Sequence, residues 1–333
     1  MYRSLLLLST ALLMPVTEAA AAEQPILSRR PQILVISFDG AGSNELWARS
    51  RAMAKKVDAR FTYFLSCTNL IPREAKKGYA APGQKPGRSN VGFAPSKEDA
   101  AARLDHIWQA HLEGHEIASH ACGHFDGKDW TRDDWLKEFS TFDTVLKGAW
   151  QANGVGEREP KEWQDFVENG ITGFRAPYLS ATKALTEAER AAGFVYDASG
   201  VAKGPQWPES DGGLVRFALP LIPEGPRDRQ ILGMDYNLFI RHSAGLDNPS
   251  KSIEYEERAY AAFKSAFDAQ YDGERIPLQF GFHFVEMNGG AYWRALERLV
   301  GDVCGRADVA CVSYTEAMHV IETGQRRAAP ASN

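Results

Sequence analysis

Several features are scarce in this 333-residue chain, and each scarcity excludes something. No run of Lys or Arg is long enough to make a nucleic-acid footprint, and the formal net charge is −5, so a nucleic-acid partner is set aside. Beyond the N-terminus no segment is apolar enough to span a bilayer. There is no internal repeat and no clear linker, so one domain is the simplest organisation. Cysteine is limited to four residues.

What is there begins with "MYRSLLLLSTALLMPVTEAAAAEQP". Arg3 supplies a positive start, Leu5 to Met14 a short apolar core and Ala19 to Ala22 a small-residue cleavage site. This reads as a secretory signal peptide over residues 1–22, with the cut near Ala22–Glu23 and a mature domain over 23–333. No cysteine follows the apolar core, which argues against a lipid anchor there. The expectation is a periplasmic or secreted protein with no membrane insertion after cleavage. Export makes the cysteines disulfide candidates, with three possible pairings. Cys304 and Cys311 flank "GRADVA" and are spaced to close a small loop. Cys67 ends "FTYFLSC" and Cys122 ends "EIASHAC"; if these are neighbouring parallel strands, their ends lie side by side and Cys67 pairs with Cys122. Buried free thiols are the alternative.

Apolar, strand-like segments recur: "QILVISF", "ARFTYFL", "HEIASH", "ITGFRAP", "PLQFGFHF" and, near the end, "VACVSY". Long helical patterns fall between them, which implies βαβ units and a parallel sheet. Ser96 with Asp99, and Thr131 at the head of "RDDWL", mark helix starts; Gly114 marks a helix end. Residues 72–97 and the proline-bearing 199–232 break the alternation and read as long irregular loops.

In parallel α/β folds the C-terminal strand ends carry the site. Asp39, His120, Arg175 and His283 all fall there. His120 and His124 in "SHACGH" are four apart, which on a helical turn puts two imidazoles on one face, a metal-ligand spacing as well as that of an ordinary packed pair. Pro177 fixes the chain after Arg175, and an arginine beside Asp39 would keep that carboxylate ionised. A structural ion pair has the same signature. His283, at the end of an apolar strand, is placed to donate a proton or simply to pack.

The motifs "ISFDG", "GHEIASHACGH", "GFRAPYL", "GFVYDAS" and "FGFHF", in that order, resemble those of the polysaccharide deacetylases (carbohydrate esterase family four, the NodB homology domain), closest to the chitin-deacetylase-like branch. The resemblance runs from about Ile33 to Met318. It implies an α/β fold, a distorted (β/α)7 barrel forming a single catalytic domain. It also implies a divalent metal, usually zinc, and an N-acetylated glycan substrate, chitin-like or peptidoglycan-type, that loses its acetyl groups. Carried onto this chain, Asp39 matches the base, His120 and His124 the metal ligands, and Arg175 the residue that orients the base. The backbone N–H of Tyr178 matches the oxyanion site, and His283 the general acid. Asp197 and Asp235 are both candidates to tune His283, with Asp197 preferred. Trp130, Trp207 and Trp293, with Tyr178, are candidates to stack on sugar rings, core packing being their other role.

The first motif departs from the family pattern. A second Asp, a metal ligand, follows the base in the family; here that position is Gly40. A catalytic zinc normally has three protein ligands. Asp39 moving onto the metal, Asn44 or Glu45 reaching back, or water filling the gap would each compensate. A non-catalytic glycan-binding protein on the same barrel is the alternative function, and an amidohydrolase of small nitrogenous substrates a third.

Overall fold

The first strand, β1 (Gln32–Gly40), sets the frame for everything around it. Successive side chains on a strand point to opposite faces. Ile33 and Val35 thus join one apolar cluster, while Leu34, Ile36 and Phe38 join another. The computed structural model describes residues 30–324, and its main body from Pro31 onward is one compact unit. The signal-peptide expectation, on residues 1–22, lies outside the described residues.

After β1 the chain alternates through α1 (Asn44–Lys56), β2 (Thr62–Leu65), α2 (Lys97–Leu112), β3 (Glu116–Ser119), α3 (Arg132–Ala152), the single turn α4 (Trp163–Asp165), β4 (Gly173–Phe174) and α5 (Lys183–Ala192). Then come β5 (Tyr196–Ala202), β6 (Glu209–Asp211), β7 (Leu214–Glu224), β8 (Arg229–Leu232), α6 (Asp235–Ser243) and α7 (Ser252–Asp272). The last elements are β9 (Leu278–His283), α8 (Ala291–Val303), β10 (Val309–Cys311) and α9 (Tyr314–Thr323). The helix starts expected from sequence are formed: the Ser96 hydroxyl accepts from Asp99 N–H, and Thr131 and Asp134 make a reciprocal capping box. Among the described residues no helix is long and apolar enough to cross a membrane.

Strands β9, β1, β2, β3, β4, β5 and β7 pair in parallel in that order. β10 adds to the first half of β1. The curled sheet closes at one seam: Gly281 N–H donates to Gly233 O at 3.0 Å, and Gly233 N–H to Pro220 O at 2.9 Å. The result is the expected distorted seven-stranded barrel wrapped by helices. Its lower interior is filled with rings: Tyr314 lies 5.2 Å from Tyr196, 4.8 Å from Phe217 and 5.7 Å from Phe64 between centroids. With that end plugged, the open end at the strand C-termini is where a ligand can enter.

One expectation is corrected. Residues 199–232 are not one irregular loop but hold most of β5 together with β6, β7 and β8. The prolines that suggested a loop sit where β7 changes partner: Pro220 ends its pairing with β5, and Pro223 lies in the short antiparallel pairing with β8. Proline is tolerated at such edges and irregularities, where a ladder donor is not needed. Residues 72–97 do remain largely irregular, pinned by Arg73 N–H to Ala94 O at 2.8 Å and Asn90 N–H to Gly123 O at 2.8 Å.

Both expected disulfides are formed, Cys67–Cys122 and Cys304–Cys311. The first joins the ends of the neighbouring parallel strands β2 and β3. Its sequence separation is 55 residues, against 7 for the second. By loop-closure entropy, Cys67→Ala/Cys122→Ala should lose roughly 4 kcal/mol of stability and Cys304→Ala/Cys311→Ala roughly 2.5 kcal/mol. Urea midpoints of the two double variants check this; equal losses would contradict the entropic account.

Candidate active site

Four strands deliver the inward-facing residues at the open end. On β1 the inward parity that places Ile33 and Val35 inside the barrel also places Ser37 and Asp39 there. His120 follows β3, Arg175 follows β4 and His283 closes β9. Arg175 is fully buried, and each guanidinium nitrogen has a partner. Nη1 donates to Asp39 Oδ1 at 2.7 Å and to Ser37 Oγ at 2.9 Å, Nη2 to the Tyr314 hydroxyl at 2.7 Å and Nε to Ala198 O at 3.1 Å. The guanidinium lies 4.2 Å above the Phe64 ring. Burial alone would raise the Asp39 carboxyl, but the Arg175 charge and hydrogen bond, with the His283 charge, outweigh it and hold Asp39 below its ordinary value. Pro177 acts as expected on its neighbour, with Ala176 extended at φ −70° and ψ 135°.

His120 and His124 are brought together, though not by a helix. The segment is a loop in which Ala121 and His124 take positive φ of 56° and 54°, and the two rings sit 4.9 Å apart. His120 Nδ1 faces Arg175 O at 2.7 Å, so Nδ1 carries the proton and Nε2 keeps its lone pair. That Nε2 is buried with no hydrogen-bond partner. Burial pushes His120 down to about 3 and also lowers His124, so both rings are neutral at pH 7, the form that binds metals.

Gly40 has φ +86°, and a Cβ built there would meet nothing within 4 Å. Neither expected substitute comes back: Asn44 Nδ2 donates to Asp99 Oδ1 at 3.0 Å, and Glu45 is exposed on the first turn of α1. Asp39 remains on Arg175. Among the described residues no three His, Cys, Asp or Glu side chains group as a metal site. The donor set therefore fits a divalent cation anchored by two imidazoles, with open room at Gly40 for solvent. It does not fit a zinc held by three protein ligands.

The partner of His283 is Asp235, which corrects the preference for Asp197. Asp235, fully buried at the start of α6, takes His283 Nδ1 at 2.7 Å and the His283 backbone N–H at 2.9 Å. On β5 it is Tyr196 and Ala198 that face the barrel interior, so Asp197 points outward by strand parity. There it accepts from Ser199 N–H at 2.9 Å and pairs with Arg216 at 3.4 Å. Burial would lower His283, but the Asp235 charge and hydrogen bond, with the Asp39 charge, raise it above the ordinary histidine value.

Above these residues opens a pocket of ≈ 960 Å³, walled by Asp39, His120, His124, His283, Asn90 and a largely apolar rim. Val91, Tyr178 (59% exposed), Val201, Tyr236 and Val285 form the exposed part of that rim. The tryptophan expectations are corrected. Trp293 is fully buried, its ring 5.1 Å from Phe38 and its Nε1–H on His283 O at 3.1 Å, so it positions β9 from behind. Trp130 packs 4.7 Å from Trp135, and Trp207 lies outside the pocket wall. Sequence reasoning missed Asn90 and Tyr236: Asn90 sits in an aperiodic loop, and Tyr236 faces the pocket only because Asp235 anchors the helix start.

Two outcomes follow from these charges. Arg175→Met leaves Asp39 buried without its counter-charge and should cost about 3–5 kcal/mol, largely recovered in Arg175→Met/Asp39→Leu. Because Asp39 is held low, its contribution is present above the ordinary carboxylate value near 4 and is lost as pH falls through the folded value. Acid titration of stability should show this step in the parent protein and not in Arg175→Met. For His283 the sign is opposite: its raised value contributes stability below about 6.5 that is lost as pH rises through the folded value. Asp235→Asn should lower the His283 pKa measured by NMR; an unchanged titration would show that Asp235 does not set it.

No protein-family profile matches the sequence, and no curated protein matches it. Among solved structures, a protein from Mycobacterium smegmatis assigned as a polysaccharide deacetylase is similar at 15% identity and a TM-score of 0.53, over 91% of this chain and 95% of that one. A CE4 family pseudoenzyme from Bacillus anthracis matches at 10% identity and 0.45, over 86% and 65%. A peptidoglycan deacetylase of Bacillus subtilis matches at 9% and 0.44, over 88% and 92%. The first likeness shows the fold: this chain has the barrel of a protein assigned as a polysaccharide deacetylase.

Proposed function

We propose that the chain is a hydrolase that removes N-acetyl groups from an N-acetylated glycan, chitin-like or peptidoglycan-type. One observation carries the reading: an ionised carboxylate, Asp39, and a histidine raised toward its protonated form, His283, face the same pocket with separate buried partners. Pairs whose environments push them apart in pKa divide the acid and base roles. Asp39, held in place by Arg175, accepts a proton from the attacking water. The Tyr178 backbone N–H faces the developing oxyanion. His283, with Asp235 fixing Nδ1–H, gives its Nε2 proton to the nitrogen as the C–N bond breaks. Acetate and the free amine leave. Because Arg175 keeps Asp39 a weak base, the reading calls for a divalent cation, zinc first, at His120 and His124, which would supply Lewis acidity toward water and the amide carbonyl. The two disulfides favour an oxidising compartment, periplasmic or secreted.

A second reading, glycan binding without catalysis, is favoured by Gly40 and the missing third ligand. Acetate release from N-acetylchitooligosaccharide and from peptidoglycan, with zinc and with chelator, separates the two. The expected result is zinc-dependent release that falls at least about 100-fold in His283→Gln. Glycan binding with no acetate release in any metal would establish the second reading instead.

Gly40→Asp provides a further check. An aspartate at φ +86° costs roughly 1–2 kcal/mol of stability. It should nonetheless bind zinc at least about 10–100-fold more tightly, since losing even an outer partner of a metal ligand costs that much. Unchanged zinc affinity by calorimetry would show that the cation does not sit beside Gly40.

A further inference from the structure

Outside the catalytic floor, the irregular segment 72–97 carries six Lys or Arg residues and one Glu in a chain whose net charge is −5. Three of the six, Arg73, Lys76 and Arg88, line a concave pocket of ≈ 520 Å³ together with Ser89. All three are exposed, and among the described residues none makes an ion pair. The acid of the segment, Glu74, is taken by Lys97 at 3.2 Å. Three uncompensated cations in one hollow repel each other, an arrangement that an anion would relieve.

The hollow is neither remote nor loosely held. Val91 lines it and also lines the catalytic pocket, and the chain between Arg88 and Val91 runs through Asn90, whose Nδ2 donates to His124 O at 2.9 Å. The platform beneath is fixed: Gly87 N–H donates to Tyr79 O at 2.8 Å, and the buried Tyr79 hydroxyl to Glu138 at 2.7 Å. A ligand in the catalytic pocket that extends past Val91 therefore meets positive charge on a rigid surface.

We infer that Arg73, Lys76 and Arg88 form a subsite for an anionic substituent of the glycan, so that the substrate is an acidic N-acetylated glycan rather than a neutral one. This rests on the glycan reading given above. Carboxylate and phosphate share the chemistry that the subsite recognises. Neutral chains would bind through the catalytic pocket alone, and acidic chains would gain affinity and salt dependence.

The test is calorimetric binding to the full chain of three oligosaccharides matched in length: neutral N-acetylchitotetraose, a carboxylate-bearing N-acetylglucosamine–N-acetylmuramic acid fragment, and a phosphate-bearing amino-sugar chain. An exposed charge pair contributes up to about fivefold, so three acting together should favour an acidic chain at least about tenfold. The preference of one acid over the other identifies the source. The advantage should vanish in Arg73→Gln/Lys76→Gln/Arg88→Gln and at high salt, with neutral binding unchanged. It should persist in Lys77→Gln/Lys85→Gln, which removes two exposed cations of the same segment from outside the hollow. Equal binding of neutral and acidic chains, or equal losses in both variants, would overturn the subsite and leave the glycan reading standing. No binding of any of the three would overturn both.

Discussion

The buried contact between Arg175 and Asp39 is the interaction on which the rest depends. A guanidinium inside a barrel is costly unless every donor finds a partner and a charge answers it. Here one side chain ties β1 through Asp39 and Ser37, β5 through Ala198, and the C-terminal helix α9 through Tyr314. Its own backbone carbonyl fixes the tautomer of His120. The ties among β1, β5 and α9 and the electrostatics of the site are thus the same set of hydrogen bonds, and a change to either is a change to both.

Strand parity explains what could be read beforehand and what could not. The apolar runs ending at Asp39, His120, Arg175 and His283 announce inward-facing strand ends, because a period of two on a buried strand leaves one face for the last polar residue. The disulfide between Cys67 and Cys122 was legible for the same reason, as the ends of adjacent parallel strands. Asp197 misled because its motif places it on a strand but on the outer face. Asp235 was harder to see, since it belongs to the start of a helix that closes the barrel seam, and seam contacts have no local pattern. Tryptophans are poor guides to a mouth: Trp293 and Trp130 pack, while the exposed rim is made of Val91, Tyr178, Val201, Tyr236 and Val285.

The open space at Gly40 also has a physical cause. The backbone leaves β1 in a left-handed conformation that glycine adopts freely, and Asn69 Nδ2 holds the Gly40 carbonyl at 2.5 Å. The turn is built around the glycine rather than merely lacking a carboxylate, so restoring an acid there must work against the local conformation.

The cross-link at the ends of β2 and β3 bears on the order in which the protein matures. Cys122 lies two residues before His124, Cys67 N–H donates to Ala121 O, and the Thr68 hydroxyl donates to Cys122 O. Oxidation of these thiols therefore fixes the loop that presents one of the two imidazoles. A chain whose thiols stay reduced would hold that loop by hydrogen bonds and packing without the covalent tie, so forming the cross-link is also a step in completing the site.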